Sequence, residues 1–313
     1  MKARHKPLTI GIASIALLDL VGFMSMAVAQ QQQPHVFDPN HQPAVMLTTP
    51  ELNAQVLAQP RDPQTGQTRS IALKTSAGEA AVALPFQFAQ VNALAKGPSG
   101  RLVVVGMATG SVWEVGIIDV AAARLIDKFM CYSPAVSPEG AYIAFIKMFG
   151  PHSARSPEDD VMLYDVALNP AANRPSGISL DDEINLGFEL YPWGIGTTAD
   201  NEDVPTQSAN IVGGGGQFLW KDSEFFFWSR ATGKYQIVRV AIAGKGATVS
   251  SSSLSESELR PAPEPLAMFL EDITNEEGMV RAILSLGSSH KFPVSAPEFK
   301  RLGTADLSAL PAR

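Results

Sequence analysis

Residues 133–149, SPAVSPEGAYIAFIKMF, read as strand, turn, strand. Ala135 and Val136 precede the turn Ser137-Pro138-Glu139-Gly140, in which proline presets its own φ and glycine accepts a positive one. Ala141 to Met148 is then a β-branched and aromatic run too short for a helix. A further strand, Val161 to Leu168, follows the polar connection Gly150 to Asp160. One such hairpin cannot bury both of its faces, so a stable fold needs more copies of it.

Worn copies are present. Gly100 to Gly106 starts a strand, Thr109-Gly110 turns it, and Val112 to Val120 returns. Phe225 to Arg230, turned by Thr232-Gly233, leads into Tyr235 to Ala243, and Leu266 to Leu270 leads through Asn275-Glu276-Glu277-Gly278 into Met279 to Leu286. First strands therefore begin near 101, 141, 224 and 266, and the wide middle gap is close to two periods of about 41 residues. A degenerate unit is expected near 182. Counting back one period, Ser70 to Thr75 and Glu79 to Leu84 offer a weaker hairpin around Ser76-Ala77-Gly78. A period of about 40 with several strands per copy is the spacing of propeller blades. The expected fold is all-β: a propeller of about six four-stranded blades over 68–313.

The pattern Pro134, Ser137-Pro138-Glu139-Gly140, Ile143-Ala144-Phe145 and Leu163-Tyr164-Asp165-Val166 resembles the WD-like β-propeller repeat of the TolB family of periplasmic proteins. A looser copy is Phe218 to Asp222 with Phe226 to Arg230, and another is Gly97-Pro98-Ser99-Gly100 with Leu102 to Val105. The resemblance implies a propeller that presents loops to protein partners in the cell envelope. TolB-type proteins carry an α/β domain ahead of the propeller, where this chain has only a polar stretch.

At the start, Lys2, Arg4 and Lys6 precede an apolar run from Leu8 to Phe23, and Ala27-Val28-Ala29 supplies the small residues of a signal-peptidase site. Residues 1–29 are expected to be a cleaved signal peptide, with an uncleaved anchor disfavoured by Asp19 inside the run. No stable membrane insertion is then expected, and the mature protein is expected to be periplasmic or secreted. From Gln30 to Gln67 the chain is Gln- and Pro-rich, a composition expected to leave a disordered arm.

The whole chain carries a formal charge of −7, and cleavage would remove three cations against one anion. Nucleic acid is excluded as an expected partner because its phosphates need a basic face. The lone Cys131 excludes an internal disulfide and, between Met130 and Tyr132, reads as a small buried side chain. No zincin, nucleophile-elbow, P-loop or paired-cysteine motif occurs. Ser288-Ser289-His290-Lys291 is a formal Ser-x-x-Lys without partner motifs, and the glycine run Gly213 to Gly216 reads as a turn between blades.

Acidic clusters at Asp159-Asp160, Asp181-Asp182-Glu183, Asp200-Asn201-Glu202-Asp203 and Glu276-Glu277 fall in predicted loops. The third has the oxygen density of a Ca²⁺ site but the spacing of none, so no cofactor is expected and Ca²⁺ stays the one alternative. The aromatic strand Phe225 to Trp228 suits a core position covered on both faces. The insertion Gly150 to Asp160 is longer than closing a hairpin requires, and it offers His152, Arg155, Asp159 and Asp160. Tyr191 and Trp193, among the glycines and prolines of residues 187–196, are potential aromatic anchors beside it.

Together these features point to a non-catalytic, monomeric propeller scaffold that binds an envelope or extracellular protein through His152, Arg155, Asp159, Asp160, Tyr191 and Trp193. The alternative is a secreted propeller hydrolase or lyase with a metal near its axis.

Overall fold

The computed structural model describes residues 46–49, 54–58, 68–75, 78–88, 90–109, 112–147, 161–167, 178–179, 211–214, 218–231, 234–254, 268–276, 279–286, 290–296 and 298–307. All of them lie in one unit, Val36–Arg313, and none of the described residues is helical.

The strands follow one another as antiparallel meanders. β1 (Met46–Thr49), β2 (Ala54–Ala58), β3 (Thr68–Thr75) and β4 (Gly78–Phe88) form the first sheet in chain order. β5 (Gln90–Lys96), β6 (Arg101–Thr109), β7 (Val112–Asp119), β8 (Arg124–Val136), β9 (Tyr142–Lys147), β10 (Val161–Asp165) and β11 (Ile178–Ser179) form a seven-stranded sheet. β12 (Phe218–Lys221), β13 (Glu224–Ala231), β14 (Lys234–Ala243) and β15 (Gly246–Ser253) make the next sheet, and β16 (Met268–Glu276), β17 (Met279–Leu286) and β18 (His290–Ala296) the last. β19 (Lys300–Asp306) returns to pair with β15 as a fifth strand. β18 carries Pro293, which has no N–H to donate, and such a strand suits an outer edge rather than a further ladder.

The seven-stranded sheet is two meanders sharing one strand. β8 pairs with β7 through Arg124 to Cys131 and with β9 through Cys131 to Val136, and its register breaks between Tyr132 and Ala135, where Ser133 takes a φ of 48°. Five meander units result: β1–β4, β5–β8, β8–β11, β12–β15 and β16–β18. A repeated bond shows that three are equivalent. Gly100 O accepts from Val120 N, Ala141 O from Val166 N, and Ser223 O from Ile242 N, each tying the first turn of a unit to the end of its third strand.

Four cores separate these units in order. Ile71, Leu73, Val82 and Leu84 of the first meet Leu102, Val104 and Ile118 of the second. Val103, Trp113, Val115 and Phe129 of the second meet Ile143, Phe145 and Tyr164 of the third. Ala144, Ile146 and Leu163 meet Phe218, Phe225 and Phe227 of the fourth, whose other face sends Phe226 and Trp228 against Leu270, Ile273 and Val294 of the fifth. Period-2 alternation along Phe225 to Trp228 thus loads both faces, as a strand between two neighbours requires. The chain has a propeller-type repeat fold. Among the described residues no core joins the fifth unit to the first.

Several expectations need restating against this order. The described residues form five units, and the sixth, expected near 182, falls on residues 180–210, outside the described residues. The hairpins at 101, 141 and 224 are second and third strands of their units, and the one at 266 is β16 and β17, the first two strands described in its sheet. Ser70 to Thr75 and Glu79 to Leu84 do form a hairpin. Among the described residues sheet starts at Met46, inside the stretch 30–67 that composition marks as an arm, because β1 and β2 gain ladder partners ending on β3. The expected signal peptide, residues 1–29, falls outside the described residues.

Candidate functional site

The turn of the best repeat is built as its sequence demands. Ser137 is fully buried; its Oγ accepts from Ala141 N at 3.0 Å and Tyr142 N at 3.1 Å, while its carbonyl takes Gly140 N at 2.8 Å. Gly140 sits at φ +68° against the backbone of Lys96 in the preceding unit. At this end of the units Ser137 and Gly140 are thus spent on packing, while Pro138 and Glu139 of the same turn are exposed.

The opposite end is different. In unit two, Thr109 pairs with Val112 across residues 110–111, and in unit four Ala231 pairs with Lys234 across residues 232–233. At the same position of unit three the chain spends residues 148–160, leaving after Lys147 and returning at Val161 beside Ile146. Ile146 also pairs with Tyr132, so one row Tyr132-Ile146-Val161 closes that end of the sheet. The next row is Phe145-Met162-Ser179. Because β9, β10 and β11 alternate in direction, residues 180–210 leave from the same end as 148–160, one row away. Both long connections therefore share an origin, although His152, Arg155, Asp159, Asp160, Tyr191 and Trp193 all lie outside the described residues, as do the acidic stretches 181–183 and 200–203.

The chain re-enters at Ile211. Ile211 O accepts from Val136 N at 2.7 Å, Gly213 N donates to Val136 O at 2.8 Å, and Gly213 O accepts from Trp220 N at 2.8 Å. Gly213 and Gly214 hold positive φ values of 83° and 78°, which is the turn into β12 that a glycine run permits. Trp220 then donates its Nε1–H to Ala135 O at 2.9 Å and stacks on Tyr142 at 6.4 Å, fixing unit four to unit three.

Chemistry inside the cores is sparse and mostly spoken for. Tyr164 donates to Asp127 Oδ2 at 2.7 Å, and burial, then that acceptor, push its hydroxyl well above the usual phenol range. Cys131 is fully buried, and burial pushes its thiol up, so it is a packing residue rather than a nucleophile. Lys291 stands in strand β18, without the helix that a Ser-x-x-Lys catalyst needs. Among the described residues no group of three metal-ligating side chains converges.

Among the described residues, two buried side-chain polar atoms have no hydrogen-bond partner: Trp113 Nε1 and Glu114 Oε2, both on β7. Burial raises the Glu114 carboxyl from 4.5 to about 7, with Lys128 pulling the other way. Sequence reasoning passed over Glu114, yet a single charge inside the apolar run VWEVGII, residues 112–118, was the signal that could have found it.

No protein-family model matches the chain, and no curated protein matches its sequence. Among solved structures, the hydrazine synthase of Kuenenia stuttgartiensis is similar at 12% identity and a TM-score of 0.28, over 64% of this chain and 50% of that one. This chain thus spans about half of that relative's length. The β-propeller domain of the trilobed protease from Pyrococcus furiosus, described as having an open velcro topology, is similar over 85% of each chain at 12% identity and a TM-score of 0.27. The Dos1 propeller is similar over 78% of this chain and 51% of its own, at 11% identity and a TM-score of 0.31.

Proposed function

We propose that the protein is an exported, non-catalytic propeller scaffold, TolB-like in its repeats, that binds another envelope or extracellular protein at one end of its third unit. The observation that carries this reading is the shared origin of the two long connections, 148–160 and 180–210, at the end where the neighbouring units need only short turns. Rigid sheets that spend chain on one end commonly use it for recognition. The connections hold aromatic anchors, Tyr191 and Trp193, and charged groups for a polar rim, His152, Arg155, Asp159 and Asp160. Lys2, Arg4, Lys6 and the Ala27-Val28-Ala29 site supply the export signal for a periplasmic or secreted location.

The test is capture from envelope extract. Replacing residues 151–159 by an Asn-Gly turn, and separately Trp193→Ala, is expected to leave the thermal transition nearly unchanged and to weaken capture of the protein that the native chain retains. Undiminished capture by both variants would move the binding surface elsewhere. Stoichiometric metal in the purified protein would favour the metalloenzyme alternative instead.

A further inference from the structure

Glu114 occupies an unusual place in the second unit. Its cross-strand neighbours on β6 and β8 are Gly106 and Met130, and Val91 of β5 completes the row opposite Gly106. Two residues on along β7, on the same face, is Gly116. The carboxyl is therefore bordered by two glycines that offer it no side chain. The same face carries Val104 and Ile118, which pack with Val82 and Leu84 of β4, so Glu114 lies on the face of unit two turned toward unit one. It is 3% exposed, and its Oε2 has no hydrogen-bond partner.

The charged groups that face it are few. β6 contributes Gly106, and β5 contributes Val91. β8 contributes Met130 opposite and Lys128 one step along, a cation that acts on the carboxyl. In the first unit β3 carries Arg69 and Lys74 and β4 carries Glu79; Lys74 and Glu79 are exposed at the far turn, while Val82 and Leu84 face inward. Among the described side chains a charged carboxylate here has one exposed cation acting on it, and its second oxygen has no donor, so burying it in the charged form is unfavourable.

We propose that Glu114 is a pH-sensitive latch between units one and two: neutral, it lets β4 stay packed on the β5–β8 sheet, and charged, it loosens that junction. The direction follows from the chemistry. Opening exposes the carboxyl to water, where it ionises near 4.5, whereas closed it ionises near 7. Between these values the open form gains charge that the closed form lacks, so opening grows more favourable as pH rises and levels off above 7. Between pH 6 and pH 8.5 the opening equilibrium should rise roughly tenfold.

Amide exchange of the full chain tests this, with each rate divided by its intrinsic value at that pH. The amides of β3 and β4 should lose roughly tenfold in protection between pH 6 and pH 8.5, while those of β13 and β14 should not change. Glu114→Gln should abolish the pH dependence, and Lys128→Ala should keep it and move it to higher pH. The Lys128 variant and the native slope both read the latch even where the Gln variant folds poorly. Flat protection of β3 and β4 in the native protein would overturn the proposal, as would a Glu114→Gln variant that keeps the slope.

Discussion

Gly140→Ala should be among the most damaging single-atom-group changes in this protein, and its cost can be worked out from the turn it occupies. The residue stands at φ +68°, where a side chain costs about 1–2 kcal/mol from its own backbone. A Cβ there would also lie 1.8 Å from Lys96 O and 2.6 Å from Lys96 C, well inside the 3.4–4 Å of ordinary contact. The obstructing atoms are backbone of the neighbouring unit, held by the bond from Gly97 N to Arg101 O at 2.8 Å, so they cannot swing aside as a flexible side chain would. Overpacking of this kind costs about 1–3 kcal/mol more. The sum is about 4 kcal/mol, or a fall in Tm of roughly 8–16 °C for a chain of this size. Gly100→Ala is the internal control. That glycine holds nearly the same φ, +71°, with nothing within 4 Å of the added atom, so only the backbone term applies and Tm should fall by a few degrees. Differential scanning calorimetry of the two variants decides the matter. Equal losses in the two would refute the close packing of the Ser137-Pro138-Glu139-Gly140 turn on the preceding unit.

Three further outcomes follow from the interior. Glu114→Gln should flatten part of the stability–pH curve: the native carboxyl, raised from 4.5 to about 7, costs nothing below 4.5, and the penalty accumulates to about 3 kcal/mol by pH 8, as urea unfolding at stepped pH would read. Trp220→Phe removes the bond to Ala135 O at the junction of units three and four and should cost about 2 kcal/mol, measured by the same unfolding curves. Cys131 should resist a thiol reagent in the native protein and react only as the chain unfolds, so rapid modification under native conditions would contradict its full burial.

The sequence made the repeats legible because each unit keeps a proline or glycine turn and a β-branched or aromatic strand. The period could be counted from 101, 141 and 224 even where residue identity had drifted. The sequence showed the hairpin at 266, which is β16 and β17, but not β18 after it, whose Pro293 reads against a strand. It also missed the outer strands β1 and β2. Their residues, Met46–Thr49 and Ala54–Ala58, are short and set among Gln and Pro, so their order comes from the ladder to β3 and not from composition. The fate of β19, carried back to β15 past a proline-bearing β18, is a long-range pairing that no local pattern announces. The common origin of the two long connections was half legible. Their lengths could be read, but that they leave one end of one sheet depends on β11 being the partner of β10.

The central claim is that recognition belongs to the end of unit three from which residues 148–160 and 180–210 depart. Site-specific photo-crosslinking tests it most directly, with the reactive group placed in turn at His152 and Trp193 in those two connections, and at Ser99 and Glu139 in the exposed turns at the other end. The protein retained from envelope extract should become covalently attached from His152 and from Trp193, and not from Ser99 or Glu139. Attachment of that protein from Ser99 and Glu139, with none from His152 or Trp193, would contradict the claim.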